Sequence, residues 1–296
     1  SLRIKLSLDN ERYRSLGGAL RNYASSLRQD MNQLAGAYKA CLLALELGDV
    51  MQSTDDIAMS HMYLLSLYQD MGWWKKAEES YQAFLRNARS GREMAKWRSA
   101  AERFYAEALI HQGLDASNAL ERSAKAAEEG SKNRSAVDVR ENARLSGENA
   151  LQQNQIDHAV VHFQNAIKLA HKSGISIASL QGRLAYAFAR QKAYDRALET
   201  IQQALQEAGD RRTYDLNCSA AEVYLLLADT VPDGSEETKQ YKALSERYAL
   251  RAYQEAQSDG LPYVWAWRLK RAKKVLEIVN GTDHGLDAIP ARKEAT

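Results

Sequence analysis

Apolar residues recur every three or four positions along almost the whole chain, and this spacing predicts amphipathic α-helices. Residues 156–170 and 194–208 show the pattern most clearly, with apolar side chains along one helical face. No stretch alternates apolar and polar residues for long enough to predict a β-strand. Short breaks divide the pattern at Gly48, Gly72, Gly91, Gly113, Gly130, Asn154, Gly174, Lys192 and Gly209. Because such short connections favour antiparallel neighbours, the pattern predicts an all-α fold of helix pairs.

Six pairs of residues, seven positions apart within each pair, mark an internal repeat. The first members are Ala37, Ala77, Ala119, Ala159, Ala197 and Ala249, and the second members are Ala44, Phe84, Ala126, Ala166, Ala204 and Ala256. Successive first members lie 40, 42, 40, 38 and 52 residues apart. A period of this length is typical of stacked helix pairs. We interpret each alanine as an anchor that lets the second helix of a pair approach the first closely.

The longest interval contains the first proline of the chain. Pro232 and Gly234 predict the end of a helix over 213–230, followed by a longer loop. Ser235 then predicts the N-cap of a long helix that ends near Gln257.

The last part of the chain departs from the repeat. Pro262 fits just before the first turn of a final helix over about 263–279, which we expect to cap the array. Glycines and a proline predict a flexible tail over 281–296. The expected organisation is therefore one solenoid unit over 1–280, followed by the tail.

Several units resemble the tetratricopeptide repeat (TPR). The unit over 184–205 matches the family at Leu184, Ala185, Tyr194, Asp195, Ala197 and Ala204, and the units over 145–167 and 64–84 are similar. The resemblance covers roughly residues 10–257. It implies a right-handed superhelical solenoid of about six TPR-like helix pairs, whose first helices line a concave face that binds peptides or proteins.

The length of the period favours one group of TPR-like arrays, because it exceeds the usual TPR unit of about 34 residues. Longer repeats, together with the segment over 259–276, are similar to the C-terminal arrays of bacterial STAND-class signalling NTPases. The chain contains no phosphate-binding G-x-x-x-x-G-K-[ST] loop, and it begins with Ser1, which is typical of a piece of a longer protein. The resemblance implies a sensor region, with an effector or NTPase domain elsewhere in the parent protein.

The expected register places a set of polar residues on the concave face. Those most suited to binding are Met62, Arg103, Glu107, Arg144, Glu148, Arg183, Tyr186 and Arg190. Arginines at successive repeats offer forked donors that match carboxylates, and Met62 would add an adaptable apolar patch. The alternative is a solvated face on which the arginines pair with neighbouring glutamates.

Composition excludes several classes of function. The net charge of +2 favours neither nucleic acid nor an anionic membrane as a partner, and no apolar run is long enough to span a bilayer. Cys41 and Cys218 lie far apart within helical patterns, which indicates buried thiols in a reducing compartment. We therefore expect a cytoplasmic protein that makes no membrane contact.

No motif in the chain indicates catalysis. A Gly-x-Ser-x-Gly elbow is absent, and no pair of carboxylates stands out, so we expect no enzymatic activity and no cofactor. His158 and His162 share a helical face at a spacing that can hold a metal, but a third ligand is missing. A polar helix face is the favoured interpretation, and no metal site is predicted.

The final helix carries aromatic and basic residues together. They are Trp265, Trp267, Arg268, Lys270, Arg271, Lys273 and Lys274. A nucleic-acid patch is one interpretation. The favoured interpretation is a capping helix whose apolar face covers the array while its charges solvate the outer face. Of the tandem tryptophans, Trp74 is expected to pack inward and Trp73 to be exposed.

These observations favour a module that binds a protein or peptide, or senses a ligand. One alternative is a constitutive scaffold that holds a partner without changing shape. A second alternative is a nucleic-acid-binding helical repeat.

Overall fold

A computed structural model describes residues 10–130, 136–172, 176–209 and 214–281, and all regular secondary structure in these ranges is α-helical. The helices are α1 (Asn10–Gln29), α2 (Leu34–Val50), α3 (Thr54–Met71), α4 (Trp74–Asn87), α5 (Arg92–Gln112), α6 (Ser117–Gly130), α7 (Ala136–Gln152), α8 (Ile156–Lys172), α9 (Ala178–Arg190), α10 (Tyr194–Ala208), α11 (Tyr214–Ala228), α12 (Glu236–Ala256) and α13 (Ala266–Asn280). The prediction of an all-α fold is confirmed.

The helices form a stack of pairs. Each odd-numbered helix from α1 to α11 packs along the even-numbered helix that follows it, and each even-numbered helix also contacts the next odd-numbered one. Odd-numbered helices contact one another from repeat to repeat, and they form the inner layer of the stack. α13 packs on α11 and α12. Its role as a capping helix stays a prediction. The right-handed sense of the superhelix stays a prediction.

The alanine anchors are buried between the helices of their pairs. Every anchor, with Phe84 in place of one alanine, is at most 3% exposed. Gly147 on α7 shows why small residues are needed, since a Cβ atom added there would lie 2.8 Å from the Phe163 ring on α8. This close approach buries Phe163 completely, and burial of apolar area is the main stabilising term of such an interface.

Two predicted helix boundaries are wrong. α2 continues through Gly48 to Val50, and Gly48 serves close packing instead of a break, since a Cβ atom there would come 3.2 Å from Ile57 on α3. The final helix begins at Ala266 instead of 263, because residues 257–265 first form a tight turn with Gly260 at φ 79°. The turn is fixed by the Trp265 N–H, which donates to the Ala256 carbonyl at 2.9 Å.

The predicted N-cap at Ser235 is confirmed. Its side-chain oxygen accepts a hydrogen bond from the Thr238 N–H at 3.1 Å, and α12 follows directly. The break predicted at Gly174 and the tail predicted beyond residue 281 lie outside the described residues.

The two ends of the array meet. Asn32, in the loop between α1 and α2, donates from Nδ2 to the Glu255 carbonyl at 3.0 Å and accepts from the Trp265 indole N–H. Ser258 donates to the Asn32 carbonyl at 2.6 Å, and the Asp259 carboxylate accepts from the Ala35 N–H at 2.8 Å. We call this set of contacts the seam. Because α13 also contacts α3, the inner helices surround a central space.

Candidate functional site

The inner helices enclose a central cavity of about 630 Å³. Its wall includes residues from every odd-numbered helix, so the cavity is a product of the whole array. The lining residues that carry polar or aromatic chemistry are Arg28, Asp70, Arg103, Phe104, Glu107, His111, Arg140, Glu141, Arg144, Glu148, Arg183, Asp215, Trp265, Trp267, Arg268 and Arg271.

Ion pairs join neighbouring inner helices along this wall. They are Arg28–Asp70 (3.2 Å), Arg144–Glu107 (2.9 Å), Arg183–Glu148 (2.6 Å), Arg183–Glu222 (3.4 Å), Arg268–Asp215 (2.9 Å) and Arg271–Glu222 (2.6 Å), together with Arg103–Asp138. We call these contacts the inner ion-pair network. It links α1 to α3, α5 to α7, and then α7 through α9 and α11 to α13. The arginines therefore set the spacing of the repeats as well as lining the cavity.

The network favours the charged form of some of its carboxylates, whereas burial raises the pKa of Asp70 despite its Arg28 partner. Burial by itself would raise the pKa of Asp215, but Arg268 and Arg271 outweigh burial and hold the pKa well below its ordinary value. Arg144 does the same for Glu107, whose pKa is lowered despite burial. Buried charges in such pairs are costly to leave alone, so removing one partner is more disruptive than removing both.

An aromatic wall faces the ion pairs. The His111 ring stacks on Trp267 with centroids 4.8 Å apart and meets Trp74 edge-on at 6.4 Å. Burial lowers the pKa of His111 to about 4, although Glu107 favours the charged form. The imidazole is therefore neutral near pH 7. The Arg28 guanidinium lies over the Trp265 ring at 5.7 Å, which joins this wall to the network.

Two polar atoms of cavity-lining residues lack a hydrogen-bond partner. Within the described ranges, Nη1 of Arg140 and Nδ1 of His111 are buried and make no hydrogen bond.

Five of the eight predicted binding residues line the central cavity: Arg103, Glu107, Arg144, Glu148 and Arg183. Their guanidinium and carboxylate groups are paired with one another or with neighbouring helices, as the alternative interpretation expected. Predicted contacts to a ligand at these five positions stay a proposal.

The other three predicted residues lie outside the central cavity. Met62 is 2% exposed and packs in the core instead of forming an exposed patch. Arg190 donates to the Tyr186 hydroxyl at 3.1 Å and to the Asn154 side chain at 2.8 Å, and none of these three residues lines the cavity. Tyr186 and Arg190 share a helical face with Arg183, but they lie one and two turns beyond it on α9, past the end of the cavity.

The structure corrects two predictions about aromatic and basic residues. Arg268 and Arg271 line the cavity instead of the outer face, whereas Lys270 and Lys274 are exposed as expected. Trp73 is half-buried in an aromatic cluster, where its ring lies 5.8 Å from Tyr68. The apolar face of the capping helix is confirmed, since Trp265, Leu269, Ala272 and Leu276 are buried.

Sequence reasoning missed Arg28, Asp70, Arg140, Glu141 and Asp215. A signal for part of the network exists in the sequence, because several partners of opposite charge are one repeat apart. Arg28 and Asp70 are 42 residues apart, Glu107 and Arg144 are 37 apart, and Glu148 and Arg183 are 35 apart. A search for opposite charges at the repeat period would have found these pairs.

No group of three or more His, Cys, Asp or Glu residues in the described part of the chain could hold a metal ion. His158 instead lies 3.4 Å from the Gln155 side-chain oxygen on an exposed face. No described helix combines the length and apolar character needed to cross a membrane.

Comparisons with known proteins place the fold. No protein-family model and no curated protein sequence matches the chain. Among solved structures, apo RapI is similar with a TM-score of 0.58 and 15% identity, covering 90% of this chain and 99% of RapI. A Rap protein complexed with competence and sporulation factor has a TM-score of 0.58 and 12% identity, covering 88% of this chain and 75% of Rap. The fold is a TPR-like helical repeat solenoid.

A third structure, PilF of Pseudomonas aeruginosa, has a TM-score of 0.49 and 17% identity over 83% of this chain and 99% of its own. At these identities the likeness concerns the fold alone. It agrees with the TPR resemblance seen in the residues.

Proposed function

We propose that this chain is a TPR-like binding module that holds a short peptide segment in its central cavity. The observation that carries the proposal is the shared cavity, because all seven inner helices contribute to one space of about 630 Å³. That volume falls within the range of about 300–1,000 Å³ typical of ligand pockets. It admits a peptide segment or small ligand but not a folded domain.

The chemistry of the wall supports a peptide. Paired arginines and carboxylates offer both donors and acceptors to a peptide backbone and its charged side chains, while Trp267 and Phe104 offer apolar surface. The similar Rap structure complexed with competence and sporulation factor supports the idea that this fold can hold a ligand.

A sensing role follows from the seam. A ligand that contacts several inner helices would bind best at one spacing of the repeats. It would therefore shift the population between molecules with an open seam and molecules with a closed seam. We propose that a domain elsewhere in the parent protein, of the STAND NTPase type, responds to this shift. The two buried free cysteines support a reducing, cytoplasmic location.

The alternatives have less support. A constitutive scaffold would bind its partner without any change at the seam. The basic patch predicted for nucleic-acid binding lacks Arg268 and Arg271, because both are paired with carboxylates inside the cavity. The exposed lysines Lys270 and Lys274 remain, and binding through them would weaken steeply with salt.

The test is peptide capture by the purified chain. A random pool of acetylated hexapeptides is passed over immobilised protein, and retained peptides are sequenced and remeasured by calorimetry. Val137→Trp narrows the cavity at an exposed lining position without touching the ion pairs, and we expect it to abolish retention. The matched control is Leu114→Trp, an equally exposed apolar position outside the cavity.

Equal retention by both variants would place the binding surface elsewhere. A sensor is distinguished from a scaffold by small-angle scattering of the wild-type chain with and without a retained peptide. A change in radius of gyration supports sensing, and an unchanged radius supports the scaffold.

A further inference from the structure

A second, smaller cavity adjoins the central one. Its volume is about 160 Å³, and it lies between α1, α3 and α5, with Cys41 of α2 at its base. Arg28, Gln29 and Phe104 line both cavities, so the two spaces share a border. We call the smaller space the side pocket.

The wall of the side pocket is mainly apolar. Its other lining residues are Ala24, Ser25, Cys41, Met62, Tyr63, Ser66, Leu67, Trp97 and Ala100. Two of the polar groups here already have partners, since the Ser66 hydroxyl donates to the Tyr63 carbonyl at 2.8 Å and Arg28 pairs with Asp70. Burial also raises the pKa of the Cys41 thiol to about 12, so that group stays neutral. A water molecule would find few hydrogen-bonding partners in such a space.

We propose that the side pocket receives one aromatic or leucine-sized side chain of the ligand whose polar remainder lies in the central cavity. The assignment rests on the proposed function and adds a specificity determinant to it. Apolar protein cavities of about 150 Å³ bind molecules the size of benzene, so the volume suits one such side chain and no more.

The border between the cavities shows how one ligand would occupy both. The Arg28 guanidinium lies 5.9 Å from the Phe104 ring centre on one side and 5.7 Å from the Trp265 ring on the other. A side chain that enters beside Phe104 therefore leaves its own backbone next to a guanidinium and its Asp70 partner. The ligand class is a peptide with an apolar anchor residue and a polar or charged flank.

Met62 gives a direct reporter of occupancy, because it lines the side pocket and is 2% exposed. The chain is labelled with ¹³C in its methionine methyl groups and titrated with N-acetylphenylalaninamide, with N-acetylglycinamide as the matched control. We expect the Met62 methyl signal, assigned with Met62→Leu, to shift with the phenylalanine compound alone. Met31, which is half-exposed and outside the pocket, should not shift. A Met62 signal that stays unchanged up to the solubility limit overturns the proposal.

A filled pocket provides the second test. Ala100→Leu on α5 places extra methyl groups in the side pocket, and the matched control is Ala19→Leu on the exposed face of α1. In the hexapeptide selection we expect the wild type and the control to enrich Phe or Leu at one position. Ala100→Leu should weaken those peptides by about tenfold or more, as expected when a hydrophobic group is excluded from its pocket.

The outcomes separate the two proposals. Peptides retained without any apolar preference, or retained equally by Ala100→Leu, overturn the side-pocket assignment and leave the proposed function standing. A chain that retains no peptide at all overturns the proposed function, and the ligand assigned here falls with it.

Discussion

The interface within a helix pair and the seam between the ends of the array are built differently. In the α7–α8 pair, Gly147 lets the Phe163 ring approach the backbone, and apolar burial dominates. At the seam, side chains such as Asn32, Ser258 and Asp259 make hydrogen bonds between residues more than 220 positions apart. The seam adds these hydrogen bonds to an apolar cluster that joins Leu34 and Ala37 to Val264, Trp265 and Leu269. Net hydrogen-bond contributions are modest, whereas buried apolar interfaces are expensive to disrupt. We therefore expect the loss of one side chain's hydrogen bonds at the seam to cost less than the loss of a buried ring inside a pair.

The largest effect should come from breaking a pair interface. Phe163→Ala removes a fully buried ring, and we expect it to lower the free energy of unfolding by about 3–5 kcal/mol. Urea unfolding followed by circular dichroism measures the change. Val161→Ala, 61% exposed on the same helix, is the control and should change it by less than about 0.5 kcal/mol. Equal effects would mean that the pairs are not held by their buried faces.

The next effect concerns pH, because His111 of α5 stacks on Trp267 of the capping helix. Its folded-state pKa of about 4 lies below the ordinary value of 6.5. The folded state therefore binds fewer protons between these values. The stability contributed by neutral His111 is present above about pH 6.5 and is lost as pH falls toward 4.

The variant His111→Phe keeps the stacked ring but cannot be protonated. Between pH 6.5 and 4, the unfolding free energy of the wild type should fall further than that of His111→Phe, by up to about 3 kcal/mol. Unfolding curves at several pH values measure the difference. The control is His158→Phe, an exposed position that should keep the wild-type profile. Parallel profiles for all three proteins would contradict the protonation of His111 as a cause.

A smaller effect is expected at the seam itself. Asn32 has a φ of 56°, a conformation that glycine adopts without strain. Asn32→Gly therefore keeps the backbone conformation and deletes the side-chain hydrogen bonds to Glu255 and Trp265. We expect a loss of about 1–2 kcal/mol and a larger radius of gyration in small-angle scattering, with helicity retained.

The matched control for the seam is Asn154→Gly, which has a similar φ of 58° but lies away from the seam. Its radius should equal that of wild type. An unchanged radius of gyration in Asn32→Gly would mean that the two ends of the array meet without this contact.

The smallest effect is expected from a residue outside the cavity. Arg190 makes its hydrogen bonds on an exposed surface outside the lining, so Arg190→Ala should change stability by less than about 0.5 kcal/mol. It should also leave hexapeptide retention unchanged. A loss of retention would restore the predicted role of Arg190 and extend the site beyond the cavity.

The repeat could be predicted in detail from the sequence, and part of the site could be as well. The anchors were recognisable because alanine at a fixed helical spacing has a local packing reason, and the N-cap at Ser235 has a local hydrogen-bonding reason. Arg103, Arg144 and Arg183 were found because the inner face of an amphipathic helix follows its register. Arg190 lies outside the cavity, because register alone does not say how far along a helix the cavity reaches.

The sequence by itself determined the helices, their pairing and the anchors between them, since each depends on residues within one repeat of one another. Only the tertiary structure decided the seam, the enclosure of the cavity and the inward position of Arg268 and Arg271. The physical reason is that the rotations between successive repeats add up along the array. Each repeat adds a small rotation to the last, and whether several such rotations bring Trp265 back to Asn32 depends on all of them together.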